Sequence, residues 1–271
     1  MPPATVVGLL VCLAAGWFAH DLYMQQRRRR LRVVWPVPTV PLASIDPVFT
    51  ATELGPTLAA EVSFIGRGPI LVPGGTSDAE AWVLSALAKN AHDIFEFGTC
   101  TGKTTYLLAR NSPADAKVTT ITLTPDQAAS YQGSAGDSRR NARHALREST
   151  LTHFLYSGTQ VEPKVAQLYG DSKAFDETPY VGQCDLIFVD GSHALSYVLS
   201  DSEKALRMVR PGGLILWHDY VGPEEEGVFR GVNELAATLP LVHVQGTSFV
   251  AYRKPAEGTR GTDPRLPARR V

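Results

Sequence analysis

The chain carries four groups of residues whose types and spacing could do chemistry, each placed where an apolar run ends. The first is a glycine turn with Gly98, Thr99 and Gly102, and Glu96 comes just before it. Two glycines let a backbone come close to a ligand, and a helix that begins after such a turn directs unpaired N–H groups toward an anion. The carboxylate of Glu96 can accept hydrogen bonds from ammonium or hydroxyl groups. This turn therefore predicts a nucleotide-like ligand site.

Two further groups combine carboxylates with imidazoles, namely Asp190 with His193 and His218 with Asp219. Carboxylates at adjacent strand ends supply the hard oxygen donors that Mg²⁺ accepts, and a bound cation lowers the pKa of a hydroxyl group. Histidine, with an ordinary pKa near 6.5, can take a proton at neutral pH, so His193 is a candidate base. Two alternatives stay open: one carboxylate binds a loop N–H group, and His193 caps a helix or stacks.

The fourth group is Asp171 and Ser172, which follow an apolar run at residues 165–169. A carboxylate at a strand end can accept from an exocyclic amine, which suits adenine, although Asp171 as a helix cap is an equal alternative. Nucleotide-binding folds commonly carry a ribose-binding acid about 20 residues after the glycine turn. Thr122 stands near that place, and Asp126 could substitute for the acid from the start of the next helix.

The apolar periodicity places these groups on a Rossmann-like α/β fold. Short apolar runs predict strands, and amphipathic segments between them predict helices. The predicted architecture is a seven-stranded, mostly parallel sheet with an antiparallel closing strand and helices on both faces. The predicted strands are residues 94–97, 118–123, 165–169, 184–189, 214–217, 241–244 and 248–253. In an open parallel sheet the carboxyl edges lie side by side, so all four groups face one crevice.

These motifs together resemble one branch of the class I S-adenosylmethionine-dependent methyltransferases, over about residues 77–253. The motifs are Phe-Glu-Phe-Gly-x-x-x-Gly-x-Thr-Thr, Gly-Asp-Ser, Phe-Val-Asp-Gly-Ser-His, Arg-Pro-Gly-Gly and Trp-His-Asp-Tyr. The branch includes cephalosporin-hydroxylase-like and rhamnosyl O-methyltransferase-like proteins, and its fold core is similar to that of catechol O-methyltransferase.

The resemblance implies S-adenosylmethionine as cofactor and methyl transfer to the hydroxyl of a small molecule, assisted by Mg²⁺. It implies Asp190, His218 and Asp219 as metal ligands, with His193 and Asp190 as the catalytic pair. The cofactor contacts are then expected from Glu96, Gly98, Thr99, Gly102, Thr122, Asp126, Asp171, Ser172 and Asp190.

Two hypotheses from other classes compete with this one. The spacing of Gly98, Gly102 and Lys103 is one residue short of the phosphate-binding G-x-x-x-x-G-K-[ST] loop, which would make the chain a nucleotide hydrolase with Lys103 on the phosphates. The dinucleotide pattern G-x-G-x-x-G is absent, because Cys100 holds the position of its second glycine. A binding module without turnover is the third hypothesis, and Thr122 in the ribose position supports it.

Composition limits the partners. The 271 residues are 44% hydrophobic, enough for one sizeable core. The net charge of −1 divides into about +4 in residues 1–32, +4 in residues 253–271 and −9 in the body between them, which excludes nucleic acid as a partner. Three cysteines are too few and of the wrong parity for a disulfide framework, so the body is expected in a reducing compartment.

The chain ends predict further segments around a methyltransferase domain at residues 49–254. Residues 4–19 carry no charge and are followed by five arginines up to residue 32, which favours a transmembrane anchor at residues 1–32 with the catalytic domain in the cytoplasm. The alternative is a cytoplasmic protein with a leader that does not span. Residues 33–48 are a proline-rich linker and residues 255–271 a disordered basic tail. A homo-oligomer stays open.

Overall fold

The computed structural model describes residues 36–70 and 75–256, and eight of the strands there form one sheet. Along the sheet the strand order is β1, β9, β10, β8, β7, β4, β5, β6. The bounds are Thr39–Val40 (β1), Asp93–Phe97 (β4), Lys117–Thr122 (β5), Val165–Tyr169 (β6), Cys184–Val189 (β7), Val209–Trp217 (β8), Val242–Val244 (β9) and Val250–Arg253 (β10). Two further strands, Ala51–Thr52 (β2) and Gly55–Pro56 (β3), form a separate hairpin.

The five neighbouring strands from β8 to β6 are parallel, and β10 is the antiparallel strand beside β8. The predicted Rossmann-like fold is therefore confirmed, with eight strands rather than seven. The additional strand is β1, which pairs in parallel with β9 at the edge of the sheet. It belongs to the proline-rich segment, where Val37, Ile45 and Val48 are buried against the sheet.

Five α-helices connect and cover the strands in the described residues. They are Asp78–Ala88 (α1), Lys103–Asn111 (α2), Arg139–Glu148 (α3), Leu195–Met208 (α4) and Glu226–Ala236 (α5). Short 3₁₀ turns lie at Leu42–Ser44, Pro47–Phe49, Leu58–Ala60, Pro125–Ser130, Glu162–Lys164, Thr178–Tyr180 and Pro223–Glu225. Helix α1 begins with a capping box in which the Ser77 hydroxyl accepts from the Glu80 N–H and the Glu80 carboxylate accepts from the Ser77 N–H.

Strand β4 divides the core between the two faces of the sheet. Ile94 packs on one face with residues of α1 and α2, whereas Phe95 and Phe97 pack on the other face with residues of α4 and α5. Because successive side chains of a strand point to opposite faces, Glu96 shares the face of Ile94. The alternation thus directs the Glu96 carboxylate toward α2.

The strand order reverses between β4 and β7, and this places the carboxyl ends of both strands beside one crevice. From β4 the chain proceeds outward through β5 and β6, then returns to the other side of β4 as β7 and β8. In open α/β sheets, ligands bind at such a switch point. The elements that carry the predicted chemical groups meet there.

No helix in residues 36–70 and 75–256 combines the length and the apolar character that a membrane crossing requires. This finding contradicts the predicted transmembrane helix and the membrane-anchored localisation that rested on it. The segment predicted as the anchor, residues 1–32, lies outside the described residues, as does most of the predicted tail.

Candidate active site

An open cavity lies at the switch point, with about 540 Å³ of empty space when the adjoining solvent is included. Its walls come from the carboxyl ends of β4, β5, β6 and β7 and from helices α3 and α4. The lining residues are Phe97, Gly98, Cys100, Ile121, Thr122, Leu123, Tyr131, Ala145, Glu148, Ser149, Gly170, Ser172, Asp190, Gly191, Ser192, Tyr197 and Asp201. Of the predicted site residues, Gly98, Thr122, Ser172 and Asp190 lie in this wall.

The glycine turn allows β4 and β7 to end in contact. Gly98 has φ +96°, and a Cβ atom on it would lie 2.1 Å from the backbone oxygen of Asp190, so no side chain fits between the two strand tips. Gly102 has φ +72° and begins α2, where a Cβ atom would come within 2.8 Å of Phe154. Both glycines are therefore required by the backbone, although only Gly98 lines the cavity.

Glu96 and Thr99, both predicted to contact the cofactor, face the interior instead of the cavity. The Glu96 carboxylate accepts hydrogen bonds from the hydroxyl groups of Thr105 and Thr120, the latter at 2.7 Å. Thr99 pairs with the same Thr120 hydroxyl at 2.8 Å. Burial raises the pKa of Glu96 to about 7. Strand alternation is the physical reason, because position 96 points toward α2.

Asp171 and Asp126 also lie away from the cavity wall. The Asp171 side chain is 6% exposed, and it accepts from the Tyr197 hydroxyl at 2.7 Å and from the Lys173 N–H at 2.9 Å. These contacts agree with the alternative prediction, in which Asp171 caps a local turn and does not bind the ligand. Asp126 is exposed on the 3₁₀ turn Pro125–Ser130, whereas Thr122 lines the cavity at the end of β5.

Three side chains that follow β7 and β8 form a cluster of possible metal ligands. One donor atom from each of Asp190, His193 and Asp219 lies within 4.8 Å of the others. His193 Nε2 is 3.0 Å from an Asp219 carboxylate oxygen, and its Nδ1 is 3.3 Å from Glu225. Burial alone would lower the pKa of His193, but the hydrogen bonds with Asp219 and Glu225 raise it to about 10.

His218, predicted as a metal ligand, is not in this cluster. Its Nδ1 lies 2.9 Å from Asp190 Oδ1, and its Nε2 lies 3.5 Å from Glu80. Although burial opposes it, the charge and hydrogen bond of Asp190 raise the pKa of His218 well above its ordinary value. A protonated imidazole has no lone pair for a metal, so in this arrangement His218 is an ion-pair partner that orients Asp190.

Several cavity residues have no counterpart among the sequence predictions. Cys100 takes the left-handed backbone with φ +44°, and burial raises the pKa of its thiol and that of the Glu148 carboxyl. The rings of Tyr131 and Tyr197 stack with centroids 4.5 Å apart, and the Tyr131 hydroxyl lies 2.8 Å from that of Ser192. Glu148 comes from α3, in the polar stretch of residues 132–163, where no local pattern marks it.

Lys103, on which the phosphate-loop hypothesis depends, is not among the lining residues. Its ammonium nitrogen is buried without a hydrogen-bond partner, and burial lowers the pKa of this group. The loop therefore does not present its lysine to a ligand in the cavity, and no observation favours the hydrolase.

Comparisons with known proteins give one match by sequence family. Residues 95–220 match the family model described as a methyltransferase domain. A search of curated protein sequences found no match.

Solved structures similar to this chain include three methyltransferases. The O-methyltransferase TomG from Streptomyces achromogenes, in complex with SAM, is 20% identical, with 66% of this chain and 82% of that chain covered and a TM-score of 0.44. An O-methyltransferase from Bacillus cereus with SAH is 20% identical (68% and 84% covered, TM-score 0.46). The methyltransferase PaMTH1 from Podospora anserina with SAH is 15% identical (68% and 81%, TM-score 0.49).

Proposed function

We propose that this S-adenosylmethionine-dependent methyltransferase transfers the methyl group to a hydroxyl oxygen of a small molecule. The methyltransferase domain matched over residues 95–220 confirms the predicted resemblance and the predicted methyltransferase activity. The acceptor class and the assisting ion are the parts that we propose.

The observation that carries the proposal is the junction of the cavity with the Asp190, His193 and Asp219 cluster. Asp190 belongs to both, because it lines the cavity and offers a carboxylate oxygen to the cluster. A hydroxyl group bound at the cluster would therefore lie next to a cofactor in the cavity. Holding two reactants in this way is the main task of the protein, since the sulfonium already activates the methyl group.

The cavity suits a positively charged cofactor. Glu148, Asp190 and Asp201 all line it. S-adenosylmethionine carries a sulfonium and an ammonium group, so the acidic wall attracts it. Among the predicted cofactor contacts, we retain Gly98, Thr122, Ser172 and Asp190, because these line the cavity.

The cluster fits a divalent cation in its donor types and spacing. One carboxylate oxygen of Asp190 and one of Asp219 lie within 4.8 Å of each other, so both can reach one ion. Nε2 of His193 lies 3.0 Å from Asp219, and Glu225 on Nδ1 of the same ring gives the carboxylate–histidine arrangement that commonly orients a basic imidazole. We propose Asp190 and Asp219 as the ligands of Mg²⁺, with Nε2 of His193 beside them as the base.

When bound, the cation lowers the pKa of a coordinated hydroxyl group. With S-adenosylmethionine bound in the cavity, the acceptor oxygen would attack the methyl carbon and the carbon–sulfur bond would break with its electron pair left on sulfur, which gives S-adenosylhomocysteine. The hydroxyl proton goes to Nε2 of His193, which must first have released the proton that Asp219 and Glu225 stabilise on the ring. Glu225 keeps the ring oriented during the transfer.

The test is transfer of a labelled methyl group from S-adenosylmethionine to a panel of sugars, phenols and aliphatic alcohols, with and without a chelator. We expect label on oxygen and a lower rate with the chelator. Label found only on nitrogen or carbon would overturn the acceptor class, and an unchanged rate in the chelator would remove the ion from the mechanism.

A further inference from the structure

Asp201 of α4 is a buried acid that the proposed reaction does not use. It lines the cavity with a relative exposure of 1%. Its Oδ1 atom is buried without a hydrogen-bond partner, and its Oδ2 atom lies 3.1 Å from where a side chain on Gly191 would begin. A buried polar atom without a partner is costly, so a partner from a bound ligand is a physical reason for its presence.

The acid expected at the adenine end of the cofactor does not fill that role. Asp171 stands outside the cavity wall, and both of its carboxylate oxygens already accept hydrogen bonds, from Tyr197 and Lys173. A ligand amine would have to displace one of these partners. Asp201 requires no such displacement.

The surroundings of Asp201 suit a flat heterocycle. Asp201 interacts with Ser172, which follows β6 in the wall of the cavity. The ring of Tyr131 forms part of the same wall and stacks on Tyr197, and Ile121 and Leu123 add apolar surface. A planar ring with a polar edge would bury its faces against such groups and direct its edge toward the acid.

We propose that Asp201 recognises the exocyclic amine of the cofactor's adenine, and this inference rests on the proposed use of S-adenosylmethionine. The amine donates to a carboxyl oxygen of Asp201, which is left without a partner in the free protein. Asp201 is therefore a specificity-determining residue for the nucleoside, whereas Asp171 holds the Tyr197 hydroxyl.

The charge of Asp201 supports this role. Burial raises the pKa of the carboxyl to about 7, because it destabilises the ionised form in the free protein. An ionised carboxylate only accepts hydrogen bonds, so a donor such as the adenine amine stabilises it. Hypoxanthine, which has a carbonyl in place of the amine, offers an acceptor where adenine offers a donor.

The experiment is a calorimetric comparison of S-adenosylhomocysteine with S-inosylhomocysteine, on the full chain and on two variants of it. We expect the wild-type chain to prefer the adenosyl ligand about tenfold or more, the loss expected when one buried hydrogen bond is replaced by two opposed acceptors. In Asp201→Asn the preference should fall toward one, because an amide can turn either its oxygen or its nitrogen to the base. The matched control, Asp171→Asn, should keep the wild-type ratio even if both affinities fall.

The ratio separates recognition from a structural role. A structural role of Asp201 would weaken both ligands by the same factor and leave the ratio unchanged, and that result would overturn the proposal. A wild-type chain that binds both ligands equally would overturn it without any variant. Failure to bind either ligand would instead contradict the use of S-adenosylmethionine itself.

Discussion

The proposed chemistry depends on single residues that adopt unusual backbone conformations, and Asp219 is one of them. It has φ +59°, a left-handed conformation that residues other than glycine rarely adopt, and its N–H donates to the Ser248 hydroxyl at 3.2 Å. Such conformations persist where the surroundings fix them, often at functional sites. Here the turn carries the carboxylate to within reach of His193.

We expect Asp219→Asn to fold and to lose the divalent cation. Asparagine tolerates the left-handed region as well as aspartate does, but a neutral amide is a weaker ligand for Mg²⁺. Thermal unfolding with and without Mg²⁺ measures this, because a bound ligand raises stability by mass action. The wild-type melting temperature should rise by several degrees. The variant should show no rise, whereas the exposed Asp126→Asn should behave like the wild type. An equal rise in all three would exclude Asp219 as a ligand.

Gly98→Ala should disrupt the site by displacing a strand tip. The new Cβ atom would meet the Asp190 backbone oxygen at 2.1 Å, and the residue would also have to keep φ +96°. We expect a loss of at least about 3 kcal/mol in unfolding free energy, measured by urea denaturation, together with weaker binding of S-adenosylhomocysteine. Gly136→Ala is the control, since a Cβ atom there meets nothing within 4 Å. Equal stability of the two variants would contradict the contact described.

At the scale of elements, β4 connects the sheet to the helices through a buried polar group. Glu96 accepts from Thr120 of β5 and from Thr105 of α2, and its other oxygen, Oε1, is buried without a partner. The carboxyl group thus joins three elements behind the cavity. Because this carboxyl group can gain or lose a proton, the stability of this part of the core depends on pH.

Because Glu96 has a pKa of about 7 in the fold against 4.5 ordinarily, the folded state binds its proton more tightly than the unfolded state. Stability from this group is present below pH 4.5 and is lost as the pH rises toward 7, by up to about 3 kcal/mol at 1.36 kcal/mol per pKa unit. Glu96→Gln keeps an oxygen for both threonines and removes this dependence. The variant should gain stability relative to the wild type between pH 5 and pH 8 in chemical unfolding. A difference that stays constant over this range would show that Glu96 is not protonated in the fold.

At the scale of the whole molecule, the sequence is informative about strands and less so about distances between elements. Apolar runs ending at glycine or aspartate identify β4 and β7, and these fix the switch point. The sequence also places His193 and His218 correctly after their strands. It does not tell that His218 contacts Glu80 and that His193 contacts Glu225, because both contacts depend on how elements distant in sequence pack together.

The cavity residues that the sequence did not predict were missed for the same physical reason, namely that the packing of distant elements brings them to the site. Glu148 lies in the polar stretch of residues 132–163 and Tyr131 directly before it, and the composition there is that of any solvated surface. Asp201 lies on α4, where a charged residue ordinarily faces solvent. Only the packing of α3 and α4 over the strand ends brings them to the cavity. Asp171 illustrates the converse, since a carboxylate at a strand end turns toward Tyr197 instead of the ligand.

The central claim is that this cavity binds an adenosyl sulfur cofactor, and calorimetric titration of the full chain with S-adenosylhomocysteine tests it most directly. ATP under the same conditions is the comparison ligand. The account predicts one S-adenosylhomocysteine per chain, bound more tightly than ATP. Absence of binding, or tighter binding of ATP, would contradict it.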